Sequence, residues 1–111
     1  MVKMLKNPRW AVLGAVALVL AAVGPASPKV EGDTIILGAA VSLTGKYSTN
    51  GKNTQDGYEL GVKRINEMGG VRVGGKYYKI KVIYYDDEST PARGAQLAER
   101  LINQDGVKFM L

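Results

Sequence analysis

Thr34-Ile35-Ile36-Leu37-Gly38-Ala39-Ala40-Val41 is a nearly continuous apolar run with β-branched residues near its start. A strand of that kind suits a sheet covered on both faces, as parallel sheets are. Parallel strands cannot be joined by a hairpin, so the chain must cross over through a dozen or more residues before it pairs again.

The residues that follow fit that demand. From about Thr54 to Met68 the period changes to that of a helix, with Tyr58, Gly61, Val62 and Ile65 at i, i+3, i+4 and i+7 and with Lys63, Arg64 and Glu67 turned away. Gly57 and Gly61 inside this helix each cost about 1 kcal/mol relative to Ala, and close approach of the helix to a sheet would explain them. Gly69-Gly70 ends the helix, and Val71 to Gly75 forms a tight Gly-flanked turn or small hairpin. Lys76 to Tyr85 is a second strand, alternating at its exposed start and apolar on both faces at its buried end. Thr90 as N-cap and Pro91 at the first helical position open a second helix, with Leu97, Ala98, Leu101 and Ile102 as its buried stripe. Asp105-Gly106 closes it, and Val107 to Leu111 begins a third apolar strand. The order β-α-β-α-β gives an α/β fold, a doubly wound parallel sheet with right-handed connections.

The first thirty residues stand apart. Lys3, Lys6 and Arg9 precede an uncharged apolar run of about 15 residues, Trp10 to Gly24, and then Gly24-Pro25-Ala26. A positive start, an apolar middle and small residues at the end make a secretory signal peptide over residues 1–26, cleaved after Ala26. A spanning helix would need about 20 apolar residues. Residues 27–33 form a short polar leader, and residues 34–111 the folded part.

The formal net charge of +5 overstates how basic this folded part is. From residue 27 onward, twelve Lys and Arg are interspersed with ten acidic residues. That is a solvated surface with no nucleic-acid footprint. Neither Cys nor His occurs, which excludes disulfides, a zinc site and any Ser-His or Cys-His nucleophile from this chain. No catalytic residues, metal or cofactor are expected.

Between the first strand and the first helix lies GKYSTNGKNT, residues 45–54. It is not a phosphate-cradling P-loop: five residues separate Gly45 from Gly51 where four are needed, and Asn53 stands where a hydroxyl would meet Mg²⁺. Asp86-Asp87 at the end of the second strand invites an acid–base or metal reading, but adjacent strand residues point to opposite sides. A structural role beside the following helix fits them better.

The two stretches ILGAAVSLTGKYSTNGKNTQDGYELGVKRINEMGGV and KIKVIYYDDESTPARGAQLAERLINQDGVKFML closely resemble the start of the periplasmic branched-chain amino-acid binding proteins, the type I solute-binding proteins of ABC importers. The features agree in order and spacing: Ser42-Leu43-Thr44-Gly45, Gly51 six residues later, Ile65-Asn66 before Gly69-Gly70, and Tyr85-Asp86-Asp87. The resemblance implies two α/β lobes closing on a small ligand, with no catalysis, and delivery of that ligand to an ABC permease in the membrane. It implies a periplasmic or secreted location. It covers the first half of the N-terminal lobe, so the chain is expected to be the N-terminal piece of a longer protein, with the family's main ligand clamp beyond Leu111. By resemblance the loop of residues 42–51 lines the cleft. Asn50 then stands in the side-chain pocket, where the family often carries an aromatic, with Tyr47, Ser48 and Thr44 as further candidate contacts. An amide there favours an amino acid or related solute with polar groups over a purely aliphatic one. The sensor domain of a receptor or regulator shares this fold and would differ by a transmembrane helix downstream. An exported enzyme would need catalytic groups beyond Leu111.

Overall fold

The structure, a computed structural model, describes residues 27–111; the signal peptide and its cleavage point lie outside the described residues. Four strands and two helices run in the order β1 (Lys29–Glu31), β2 (Thr34–Val41), α1 (Ser48–Glu67), β3 (Val71–Val73), β4 (Lys76–Asp86) and α2 (Pro91–Asn103). The sheet order is β1-β2-β4-β3. Its centre is the expected parallel pair, β2 with β4, in register from Thr34 opposite Lys79 to Val41 opposite Asp86. The sheet as a whole is mixed, because short antiparallel strands flank that pair on both sides.

One flank corrects an expectation, and the other decides between a turn and a small hairpin. The polar leader contains β1, which folds back through Gly32-Asp33 to pair with residues 34–36. Three residues are too few to show a period, and β1 is a strand because the edge of β2 is there to pair with. Val71 to Lys76 is a true hairpin, closed by Gly74 and Gly75, both at positive φ. The third parallel strand is reduced to one bridge of Met110 to Gly38 on the same side of β2 as β1. It is held by Gly38 N–H donating to Phe109 C=O at 3.0 Å and Leu111 N–H donating to Gly38 C=O at 2.9 Å.

The two faces of the sheet differ. On one, Ile36, Leu101 and Val107 form a closed core, with Ile83 and Tyr85 packed against it. α2 covers this face with Leu97 and Leu101, while Ala98 is half-buried and Ile102, expected in the same stripe, is exposed. On the other face an apolar crevice of about 200 Å³ separates Leu37 and Ile80 of the sheet from Val62 and Ile65 of α1. Ile65 and Gly61 are exposed, and the end of β4 is half-buried where full burial was expected. Only two strands underlie α1 among the described residues, so its stripe outruns the surface beneath it. Tyr84 also faces this side. Its hydroxyl is buried with no hydrogen-bond partner among the described residues, and burial, with Glu59 and Tyr58 adding to it, pushes the phenol up to about 12.

Asn66 fixes the far end of α1. Its amide donates to Ile80 C=O at 2.9 Å and accepts from Ile80 N–H at 2.8 Å. β3 pairs only with residues 76–78, so this side chain takes over the outer edge of β4 where the backbone partner stops.

Gly57 and Gly61 do not have the part expected of them: a Cβ on either would meet nothing within 4 Å among the described residues, so neither marks a close approach. Gly51 does, since a Cβ there would fall 1.7 Å from Ser42 O. Gly51→Ala is therefore expected to cost about 3 kcal/mol or more. Gly57→Ala should instead gain about 1 kcal/mol from helix propensity alone. Urea unfolding of the two variants checks the contrast, and equal effects would contradict the contact.

Candidate functional site

A cleft of about 340 Å³ opens at the carboxyl ends of the central strands, lined among others by Ser42, Tyr47, Asn50, Thr54, Tyr58 and Asp87. Open α/β sheets place their ligands at this end. The helix begins earlier than expected, at Ser48 and not near Thr54, so Asn50 and Gly51 belong to the first turn of α1. Gly, Asn and Ser read locally as breakers, yet Gly51 is what lets the helix start this close to Ser42. The early start puts Asn50, Thr54 and Tyr58 at four-residue intervals, which is one face of the helix, and all three line the cleft.

The expected site residues separate into two groups. Tyr47, at the N-cap of α1 and 49% exposed, lines the cleft together with Asn50. Lys46 Nζ lies 4.6 Å from the centre of the Tyr47 ring. Ser48 opens the helix, its N–H bonded to Gly45 C=O at 3.1 Å, and is not among the cleft-lining residues. Thr44 is drawn elsewhere: its hydroxyl donates to Asp86 Oδ2 at 2.7 Å. Ser42 lines the cleft as the start of the loop expected there, while Thr54, Tyr58 and Asp87 line it without having been expected to. Tyr58 was legible only as part of an apolar stripe, and Asp87 was given a structural role beside the following helix.

The paired aspartates hold the cleft floor together. Asp86 Oδ1 accepts the N–H groups of Leu43 at 2.9 Å, Thr44 at 3.2 Å and Glu88 at 2.8 Å. Asp87 Oδ1 accepts from the Ser42 hydroxyl at 2.6 Å and from Ser89 N–H at 2.8 Å. Asp86 thus serves the backbone of both loops, after β2 and after β4, while Asp87 joins the Ser42 hydroxyl to the backbone of the second. The Thr44 hydroxyl, then the Glu88, Leu43 and Thr44 N–H groups, hold the Asp86 carboxyl below the usual carboxylate range, against a smaller opposing effect of burial.

The fold is shared with known proteins. The periplasmic binding protein family matches residues 34–111, and the chain belongs to that family. Its relatives include a Leu/Ile/Val-binding protein homolog 1 of Brucella abortus, 33% identical over 77 residues, covering 69% of this chain and 19% of the relative. A leucine-, isoleucine-, valine-, threonine- and alanine-binding protein of Pseudomonas aeruginosa is 30% identical over 92 residues, covering 83% of this chain and 23% of the relative. Among solved structures, the branched-chain amino acid transporter substrate-binding protein LivJ of Streptococcus pneumoniae, in complex with isoleucine, superposes with a TM-score of 0.59. It is 32% identical, covering 67% of this chain and 20% of that one. A solute-binding protein of an ABC transporter from Rhodopseudomonas palustris, in complex with 3,4-dihydroxybenzoic acid, gives a TM-score of 0.57 at 33% identity, covering 70% and 20%. The chain spans about a fifth of the length of the relatives it matches.

Acid should loosen the cleft floor. The Asp86 carboxyl is held below its ordinary value of 3.8, so its contribution to stability is present in full above that value and is lost as the pH falls through the lower, folded-state one. Circular dichroism against pH should show the wild type losing stability in that acid window. Asp86→Asn should be less stable at pH 7 and nearly flat across the window; an unchanged acid limb in Asp86→Asn would contradict the assignment.

Proposed function

We propose that this chain forms the opening part of the ligand lobe of an extracytoplasmic solute-binding component of an ABC importer. The solute is an amino acid or a related small molecule with polar groups, met by Asn50 and Tyr47. The observation that carries this reading is the cleft at the ends of β2 and β4, walled by the first turns of α1. Membership of the periplasmic binding protein family supports it. So do the small solutes, isoleucine and 3,4-dihydroxybenzoic acid, bound by two structural neighbours.

The chemistry of the wall argues for the solute class. Asn50 brings an amide, Tyr47, Tyr58, Thr54 and Ser42 bring hydroxyls, and Asp87 brings a carboxylate. The Ser42 and Thr54 hydroxyls and the Asp87 carboxylate already have partners within the protein. A solute with no polar groups would cover the Asn50 amide and the Tyr47 and Tyr58 hydroxyls without pairing them, at a cost of about 1–3 kcal/mol for each one buried unsatisfied. Thr44 acts through Asp86, which leaves Tyr47 and Asn50 as the expected direct contacts, with Ser48 beside them.

The function is binding and release, with no bond made or broken. A second lobe closes over the solute, and the closed form is presented to a permease in the membrane. The location is outside the cytoplasm, reached through the signal peptide of residues 1–26. No helix among the described residues is long and apolar enough to cross a membrane.

A thermal-shift and calorimetric screen of the full-length gene product tests this, with L-isoleucine, L-threonine, other polar amino acids and 3,4-dihydroxybenzoate as solutes. One solute with polar groups should raise Tm in a concentration-dependent way. Asn50→Ala should weaken its binding about tenfold or more, the equivalent of one lost buried hydrogen bond. Binding of none of these solutes, or wild-type affinity in Asn50→Ala, would contradict the reading.

A further inference from the structure

The Ser89 hydroxyl joins two backbone groups of another loop. It accepts the Tyr47 N–H at 3.0 Å and donates to the Thr44 C=O at 2.7 Å. Those two groups flank Gly45-Lys46, the tip of the turn that carries the chain from β2 into α1. One side chain from the β4–α2 loop thus closes the turn on which Tyr47 stands, and Asn50 follows it in the first turn of the helix.

The loop that delivers this hydroxyl has an unusual backbone. Glu88 and Ser89 have φ of 55° and 60°, and they are the only non-glycine residues at positive φ among the described residues. Side chains such as these seldom adopt that conformation, and it persists only where its surroundings determine it. Here the surroundings are Asp86 and Asp87, which accept the N–H groups of Glu88 and Ser89. Across the interface Gly45 has a φ of 83°, and a Cβ there would lie 2.8 Å from Ser89 Oγ and 2.9 Å from Glu88 O. The two loops therefore interlock: a bend unfavourable to Ser89 is held where its hydroxyl meets a glycine turn that admits no side chain.

We propose that Ser89 is a positioning residue for solute binding. Its hydroxyl latches the Thr44–Tyr47 turn, so that Tyr47 and Asn50 face the cleft in one arrangement before the solute arrives. Pre-organisation of this kind reduces the ordering that binding must otherwise impose. The inference rests on the cleft being the solute site. It adds that a residue outside the cleft wall sets the affinity there, and that the strained bend at residues 88–89 serves the latch.

The test uses the full-length gene product with Ser89→Gly and Ser89→Ala. Both remove the hydroxyl, and glycine also suits a φ of 60°, so Ser89→Gly should melt no lower than the wild type. In both variants the Tyr47 amide should exchange with solvent about tenfold faster or more, with the amides of Ile36 and Leu101 unchanged. The Kd for whichever of L-threonine, L-isoleucine and 3,4-dihydroxybenzoate the wild type binds should rise about tenfold at undiminished Tm. A merely structural serine would not weaken binding while stability is kept. Unchanged exchange at Tyr47 would overturn the latch, and faster exchange with unchanged Kd would overturn its role in binding. If the wild type bound none of the three solutes, the transport reading would be at fault, and Tyr47 exchange alone would then decide the latch.

Discussion

The parallel pairing of β2 with β4 is the constraint on which the other elements depend. The register runs from Thr34 opposite Lys79 to Val41 opposite Asp86, so the two strands end side by side. Where paired strands end together, the next few N–H groups of both chains lose their ladder partners at once. Asp86 and Asp87 stand at that point and take them up: Leu43, Thr44, Glu88 and Ser89 all donate to the two carboxylates. A strand end that would otherwise need water is satisfied from within, and the loops above it are drawn into one piece. The cleft is the concave top of that piece. Its floor is set by strand register and its wall by how closely α1 can approach Ser42, which Gly51 decides.

The two faces of the sheet carry different duties. The side of α2 is a closed apolar core in which Leu101 and Val107 have no exposure at all. This core anchors β2 and β4 and holds the start of the third strand against Gly38. The side of α1 is open, with a crevice between helix and sheet, and α1 is held at its two ends, by Gly51 against Ser42 and by Asn66 against Ile80. Fixing a helix at both ends suits a site at its first turn, because the position of Asn50 then depends little on how well the middle of the helix is covered.

Much of this was legible in the residues. The run from Thr34 to Val41, the crossover and the alternation after Lys76 specify the parallel pair, and Thr90-Pro91 marks the second helix. What was hidden depended on partners distant in sequence. β1 is three residues that become a strand only beside β2. The start of α1 was placed near Thr54 and not at Ser48, because the reason for Gly51 lies in Ser42 and not in its own turn. Gly57 and Gly61, which invited a packing explanation, have no close neighbour for a Cβ among the described residues. Of the residues lining the cleft, Asn50 and Tyr47 were expected from the resemblance to a family. Tyr58 and Thr54 could have been found from Asn50 by helical spacing, had the helix been started early enough. The roles of Asp87 and Ser89 could not have been read locally, since each acts on a loop more than forty residues away.

On the function proposed above, solute recognition begins at the first turn of α1, on a wall held in place by the loop after β4. A crystal structure of the full-length gene product grown with the solute of highest affinity tests this most directly. The account predicts the solute at the carboxyl ends of β2 and β4, with a polar atom of it within hydrogen-bond distance of the Asn50 amide and with the Tyr47 ring in contact. A solute bound elsewhere, with Asn50 facing solvent and the Thr44–Tyr47 turn in a different conformation, would contradict it.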